Sequence, residues 1–335
     1  MRRTKALMTT LAGAIAVASF VVVPVVAQAP AAAKAKPAAK SWSPRTTAWG
    51  DPDLQGTYTN KDESGIPFER PNEFAGKKID DADDAELAEL IKDRAQQAAA
   101  RAPGIGGADT GAGPVHWYEN YNAKNSHPWL VADPADGKIP PMTPDAQKRI
   151  ATMKPASTSF TGGPWNGPED FSLYDRCISR GLPGSMMPAI YGNSYQIVQG
   201  PGYVGIRYEM IHETRIIPLD GRPHLPQGMR SFMGDARGHF EGKSLVVEST
   251  NFSPRSAYRN ANTDKLRLIE RFTPVAADKV EWSVTVDDPT TWTRPWTFAM
   301  SLTKDDSQGV FEYACHEGNY GMPNILRGAR AEERK

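Results

Sequence analysis

The stretch Val280-Glu281-Trp282-Ser283-Val284-Thr285-Val286 places an apolar residue at every second position. A period of two marks a strand with one buried face, because successive side chains leave an extended backbone on opposite sides. Seven further runs of strand character surround it, at 196–199, 203–206, 209–219, 244–248, 266–272, 296–302 and 310–316. Between them stand turn clusters such as Gly200-Pro201-Gly202, Asp220-Gly221, Glu241-Gly242-Lys243 and Asp305-Asp306-Ser307. About eight strands on short links predict an antiparallel meander over residues 195–330, closed as a barrel or folded as a sandwich. Several runs are polar on both faces. That suits a barrel with a wet interior and a ligand cavity at its mouth, and a barrel is the expectation.

Residues 46–194 read differently, as a helix- and loop-rich part packed on the barrel, giving one compact domain over 46–330. A helix is expected over 79–101, with Leu87, Leu90, Ile91, Ala95 and Ala98 on one stripe, acids at its start and Arg94 and Arg101 near its end. Thr143-Pro144-Asp145 opens a second helix, with a cap and a proline at the first position. A third is expected from Pro168 to Gly181, with Phe171, Tyr174 and Ile178 on one face. The glycine-rich residues 103–114 cannot form a regular element.

At the N-terminus, Arg2, Arg3 and Lys5 precede an apolar run that ends Val25-Val26-Ala27-Gln28. This is the pattern of a signal peptide over 1–27, and a retained membrane anchor is the alternative reading. Residues 28–45, rich in Ala, Lys and Pro, read as a disordered tether. The mature chain then has no transmembrane segment and a periplasmic or secreted location. Cleavage removes three bases and no acids from a chain with 39 of each, so the mature protein is mildly acidic. That balance weighs against nucleic acid as a partner, which needs a basic face. Cys177 and Cys315 are the only two cysteines, and in an exported protein they are expected to be bridged. Such a bridge contributes about 4–5 kcal/mol in the chain-entropy model. The functional alternative is a nucleophilic thiol at Cys315, beside His316.

The candidate chemistry is dispersed. Strand alternation would put Tyr208, Met210, His212 and Thr214 on one face, and Glu209, Ile211, Glu213 and Arg215 on the other. His212 then offers a proton-transfer group, and Glu213 a carboxylate on the opposite side. Asp220-Gly221-Arg222-Pro223-His224 and Gly234-Asp235-Ala236-Arg237-Gly238-His239 read as polar turns at the barrel mouth, where Asp235 could move protons and Arg237 and His224 bind substrate. His316 and Glu317, following Cys315 at the end of the last strand, form a reserve acid/base pair. Trp292 and Arg294 share a loop, offering a stacking plate and a polar-group binder, with a tryptophan plug at the barrel bottom as the structural alternative. The histidines show no tight ligand spacing, so no cofactor is expected, with a metal left open. Asp109-Thr110-Gly111 repeats the catalytic triplet of aspartic proteases once only, where that chemistry needs two carboxylates.

Several stretches together resemble a family of uncharacterised exported bacterial proteins that open with an Asp-Pro-Asp-Leu-Gln-Gly motif. They are Asp51-Pro52-Asp53-Leu54-Gln55-Gly56, Asp175-Arg176-Cys177-Ile178-Ser179-Arg180-Gly181, Met210-Ile211-His212-Glu213 and Cys315-His316-Glu317-Gly318-Asn319-Tyr320, with 216–224, 234–251 and 288–297. The resemblance implies export and one shared fold over 49–330, and brings no activity. The chain departs from it at Ser126-His127-Pro128-Trp129, where such proteins more often carry Arg-Thr-Ser. The expectation is an exported enzyme with a calycin-like barrel, acting as a hydrolase or lyase on a small, partly apolar molecule or glycoside by acid/base chemistry. A non-catalytic small-ligand-binding barrel is the alternative.

Overall fold

The alternation at 280–286 becomes the central hairpin arm of a ten-stranded antiparallel sheet. In the computed structural model the described residues are 42–81, 84–101, 125–153, 163, 165–189, 191–307 and 309–335. The signal segment, most of the tether and the Asp109 triplet lie outside them. The strands are β1 (Gly56–Thr59), β2 (Val131–Asp133), β3 (Ser194–Gly200), β4 (Tyr203–Tyr208), β5 (Thr214–Pro218), β6 (Asp235–Glu241), β7 (Ser244–Thr250), β8 (Arg267–Ala276), β9 (Lys279–Asp287) and β10 (Trp296–Lys304). Their order is β5-β4-β3-β1-β10-β9-β8-β7-β6, with β2 beside β1 on the same edge of β10. The end strands β5 and β6 meet, so the sheet is nearly closed into a barrel, as expected for a calycin-like fold. Gly238 permits that meeting. A Cβ there would lie 2.7 Å from Ile217 Cγ2 and 2.8 Å from Leu219 Cδ2.

The Asp-Pro-Asp-Leu-Gln-Gly motif starts the barrel wall. Leu54 is fully buried, its amide donates to Gln199 Oε1 (2.6 Å), and Gln199 Nε2 donates to Pro52 O (3.1 Å). Gly56 then enters β1 at φ +148°, where a Cβ would sit 2.5 Å from Lys304 Cε. Arg45, at the end of the expected tether, accepts from the Asp53 amide (2.8 Å).

The helices are α1 (Asp84–Arg101), α2 (Pro144–Ala151), α3 (Cys315–Gly318) and α4 (Gly321–Glu332). Thr143 caps α2 as expected, its Oγ1 accepting from the Ala146 amide (3.1 Å). Arg94 ties α1 to the segment after it through Asn125 Oδ1 (2.7 Å) and Pro128 O (2.6 Å). No helix among the described residues is long and apolar enough to cross a membrane.

Five local expectations are corrected. The helix at 168–181 is a single 3-10 turn, Pro168–Asp170, because Ser172 and Asp175 bond to each other and to local backbone in place of the helix ladder. Residues 310–316 are not a strand; the chain there runs irregularly into α3. The run 209–219 is broken after β4 by a turn at Met210–His212, in which Ile211 and His212 take φ +62° and +47°. Two residues in the left-handed region destroy the period of two, so Tyr208 and Arg215 both face inward, contrary to the alternation. Gly234–His239 is no loop either, since Asp235 opens β6. The fifth correction concerns the interior, which is not wet.

Phe272, Trp282, Val284, Phe298 and Met300 are 0% exposed and fill the barrel. One charged pair stands among them. Arg215 on β5 grips the Glu270 carboxylate on β8 with both terminal guanidinium nitrogens, Nη2 to Oε1 at 3.1 Å, and Trp282 Nε1 donates to the same Oε1 (3.2 Å). Burial disfavours the charge on Arg215, but the carboxylate more than offsets it and holds the guanidinium above its ordinary pKa. The pair spans the seam between β5 and β6 from within.

Candidate functional site

A cavity of about 520 Å³ lies by β1 and the β8–β9 turn, lined by Trp42, Arg45, Asp53, Tyr58, Lys279 and Lys304 among others, and a smaller one lies beside the disulfide, on the flank that carries His212 and Glu213. Cys177 and Cys315 are bridged, with Cα atoms 5.7 Å apart, which fixes the start of α3 against the loop that follows Ser172. That loop is tightly wound. Cys177 takes φ +57° and Gly181 φ +62°, and Ser179 Oγ accepts from the Gly181 amide (2.8 Å). Gly181 lies against the facing wall, where a Cβ would be in ordinary contact with Ser256 at 3.5 Å, and its positive φ is what favours glycine. The facing wall, residues 255–259, is set by the Ser253 amide donating to Ser231 O (2.8 Å) and by Arg259 and Asn260 at φ +48° and +61°. Non-glycine residues hold such angles only where their surroundings enforce them.

Between the two walls is a cavity of about 310 Å³, lined by Tyr174, Ser179, Arg180, Arg255, Tyr258 and Arg259 among others. Ser179 links it to a half-buried carboxylate, its Oγ donating to Glu213 Oε2 (2.8 Å). Burial pushes Glu213 above the usual carboxylate range, against the lowering effect of its bonds from Ser179, the Arg180 amide and Ser185. Next to Glu213, the exposed His212 ring has Nδ1 2.9 Å from Tyr313 O. A carbonyl only accepts, so Nδ1 carries the hydrogen and Nε2 is left as the basic nitrogen. The disulfide brings the His316 ring to 6.4 Å from that of His212, edge to face. Tyr191 and Tyr313 hydroxyls meet at 3.2 Å, and burial pushes the Tyr313 phenol up. His212, Glu213 and His316 therefore come together on one flank; Glu317 is exposed beside them.

The remaining sequence candidates lie elsewhere. His224, Asp235 and Arg237 share a network on the outer barrel face. His224 Nδ1 is 2.9 Å from Asp235 Oδ2, His224 Nε2 is 3.3 Å from Glu248 Oε1, and Arg237 Nη1 donates to Asp235 Oδ1 (2.6 Å). Burial alone would raise Asp235, but the Leu225 amide, His224 and Arg237 outweigh it and hold the carboxyl below its ordinary range. With both ring nitrogens of His224 engaged by carboxylates, this network braces the surface and offers no free base. Trp292 is 2% exposed and packs edge to face on Trp296 (5.6 Å), so its rings have no open face for a ligand. Arg294 pairs with Asp133 on the exterior (3.0 Å). Among the described residues no group of three His, Cys, Asp or Glu side chains is placed to hold a metal.

Sequence reading missed the cavity's own cations. Arg180 stands in the sequence only as part of the Asp175–Gly181 motif. Arg255 and Arg259, four apart on a linker between strands, carry a signal only once the loops are seen to face each other.

Strand pairing defines this chain as an antiparallel β-barrel protein with a cavity on its flank. No family model matches the chain, and no curated protein matches it. Among solved structures, it is similar to the crystal structure of a secretary abundant heat soluble (SAHS) protein from Ramazzottius varieornatus, at 13% identity and a TM-score of 0.24. The match covers 40% of this chain and 87% of that one. At that score it carries no weight, and the fold rests on the strand register itself.

Proposed function

We propose that the protein is an exported barrel that binds a small organic molecule in the flank cavity beside Cys177–Cys315. One observation carries this: the cavity of about 310 Å³ lies between two loops held at positive φ and combines aromatic walls with three guanidinium groups, whereas the larger one by the β8–β9 turn mixes Asp53 with Arg45, Lys279 and Lys304. Small-ligand sites start at roughly 300 Å³ and combine apolar walls with a few placed polar groups. Export to a periplasmic or secreted location is supported by the basic, then apolar, leader and by a disulfide, which persists in oxidising compartments.

A second reading, turnover of the bound molecule by acid/base chemistry, is favoured by a specific contact. The bond from His212 Nδ1 to Tyr313 O leaves a basic Nε2, next to a Glu213 whose pKa is raised. Neither side chain lines the cavity, so binding is the leading reading and catalysis the second.

The test is mass spectrometry on purified mature protein incubated with an extract of envelope and growth-medium metabolites. The expected result is a compound retained by the protein with its mass unchanged. New masses formed at sub-stoichiometric protein would move the second reading to first place. Neither retention nor conversion of any compound overturns both.

A further inference from the structure

We infer that the molecule taken by the flank cavity is an organic oxyanion, a ring or short apolar body bearing a carboxylate, phosphate or sulfate group. This deepens the binding reading and rests on it. Three guanidinium groups, Arg180, Arg255 and Arg259, line the cavity, and no carboxylate does. Four arginines of the barrel strands are neutralised, Arg215 by Glu270, Arg237 by Asp235, Arg267 by Glu248 and Asp287, and Arg271 by Glu241. Among the described residues none of the three cavity arginines has an ion-pair partner.

Arg259 lies with its Cζ 4.0 Å from the Phe68 ring centroid, and its Nε donates to the Tyr258 hydroxyl (3.3 Å). Arg180 lies over Tyr174 at 5.5 Å, and Arg255 Nη2 donates to Glu169 O (3.3 Å). Stacking on a ring occupies the face of a guanidinium and leaves its edge, where the paired N–H groups point. Such an edge matches the two oxygens of a carboxylate or phosphate, and a fixed guanidinium loses little freedom on binding. Tyr258 supplies the apolar surface. Its ring stacks on the buried Trp296 (6.4 Å, 30° between planes), which holds it in place at the cavity wall.

The experiment uses the oxidised full-length mature chain at fixed ionic strength, with benzoate, phenyl phosphate and inorganic phosphate as anionic probes and benzamide as the neutral one. Arginine Nε–H resonances are followed by NMR and affinities by titration calorimetry. The expected result is that the anions shift the resonances of the cavity arginines. Phenyl phosphate should bind at least about ten-fold tighter than benzamide, as a charge-assisted bond implies. Arg180→Gln and Arg259→Gln should each remove about ten-fold of that affinity. Arg255→Gln, at an exposed side chain, serves as the variant least able to disturb folding, and near-ultraviolet circular dichroism checks all three. Equal binding of benzamide and the anions, unmoved by the arginine variants, leaves the cavity reading standing and overturns the oxyanion. Absence of any resonance shift with all four probes overturns the oxyanion too; retention of a neutral metabolite in the mass-spectrometric test would then preserve the cavity reading alone.

Discussion

Inside the barrel, a charged pair sits among fully buried Phe272, Trp282, Phe298 and Met300, and each of its members is the other's partner. On the flank, three arginines share a cavity with no carboxylate among its lining residues. The interior is closed chemistry, in which the two charged groups answer each other. The flank is open chemistry, with Arg180 and Arg259 over aromatic rings, Arg255 on a carbonyl, and no carboxylate paired with any of them among the described residues. What a chain leaves unanswered on a braced surface is better evidence of a ligand than what it buries.

The largest effect tests the closed side. Glu270→Ala leaves Arg215 charged and buried without its partner, and unfolding in urea should show a loss of about 3–5 kcal/mol. Arg215→Met combined with Glu270→Leu should recover most of it, because the desolvation cost of both charges disappears together. If the single variant is as stable as the wild type, the pair is not as desolvated as described, and the contrast with the flank weakens.

A second measurement sharpens the contrast with a carboxylate that has no ion-pair partner among the described residues, Lys279 acting on it only at a distance. Glu63 is buried against the barrel wall, accepting from Ser126 Oγ (2.6 Å) and the Ser126 amide (3.2 Å). Burial dominates these bonds and pushes its carboxyl up from 4.5 to about 7. Between those pH values the folded protein keeps a proton that the unfolded chain has released, so stability falls as pH rises through the window. The total is about 3 kcal/mol. Glu63→Gln should flatten this part of the stability–pH curve, and an unchanged slope would show that the carboxylate is better compensated than its surroundings indicate.

Sequence legibility divides along the same line. The closed side was legible wherever its packing imposed a period: Val280, Trp282, Val284 and Val286 all point inward along β9. It was illegible where the period was interrupted. Ile211 and His212 at positive φ turned Arg215 into the interior. Gly238, required for contact across the seam, made β6 look like a loop, and β1 and β2 are too short for a pattern to register. On the flank, the paired cysteines were legible, and they suffice to bring His316 to His212. Arg180, Arg255 and Arg259 were not, since each is a single polar residue on a loop and only the folded arrangement makes them neighbours.

The most direct test of the central claim is a crystal structure of the oxidised protein with its retained compound. The account predicts density on the flank, between residues 179–182 and 255–259, with the barrel axis still filled by Trp282 and Phe298. A ligand lodged inside the barrel, with those rings displaced, would contradict it.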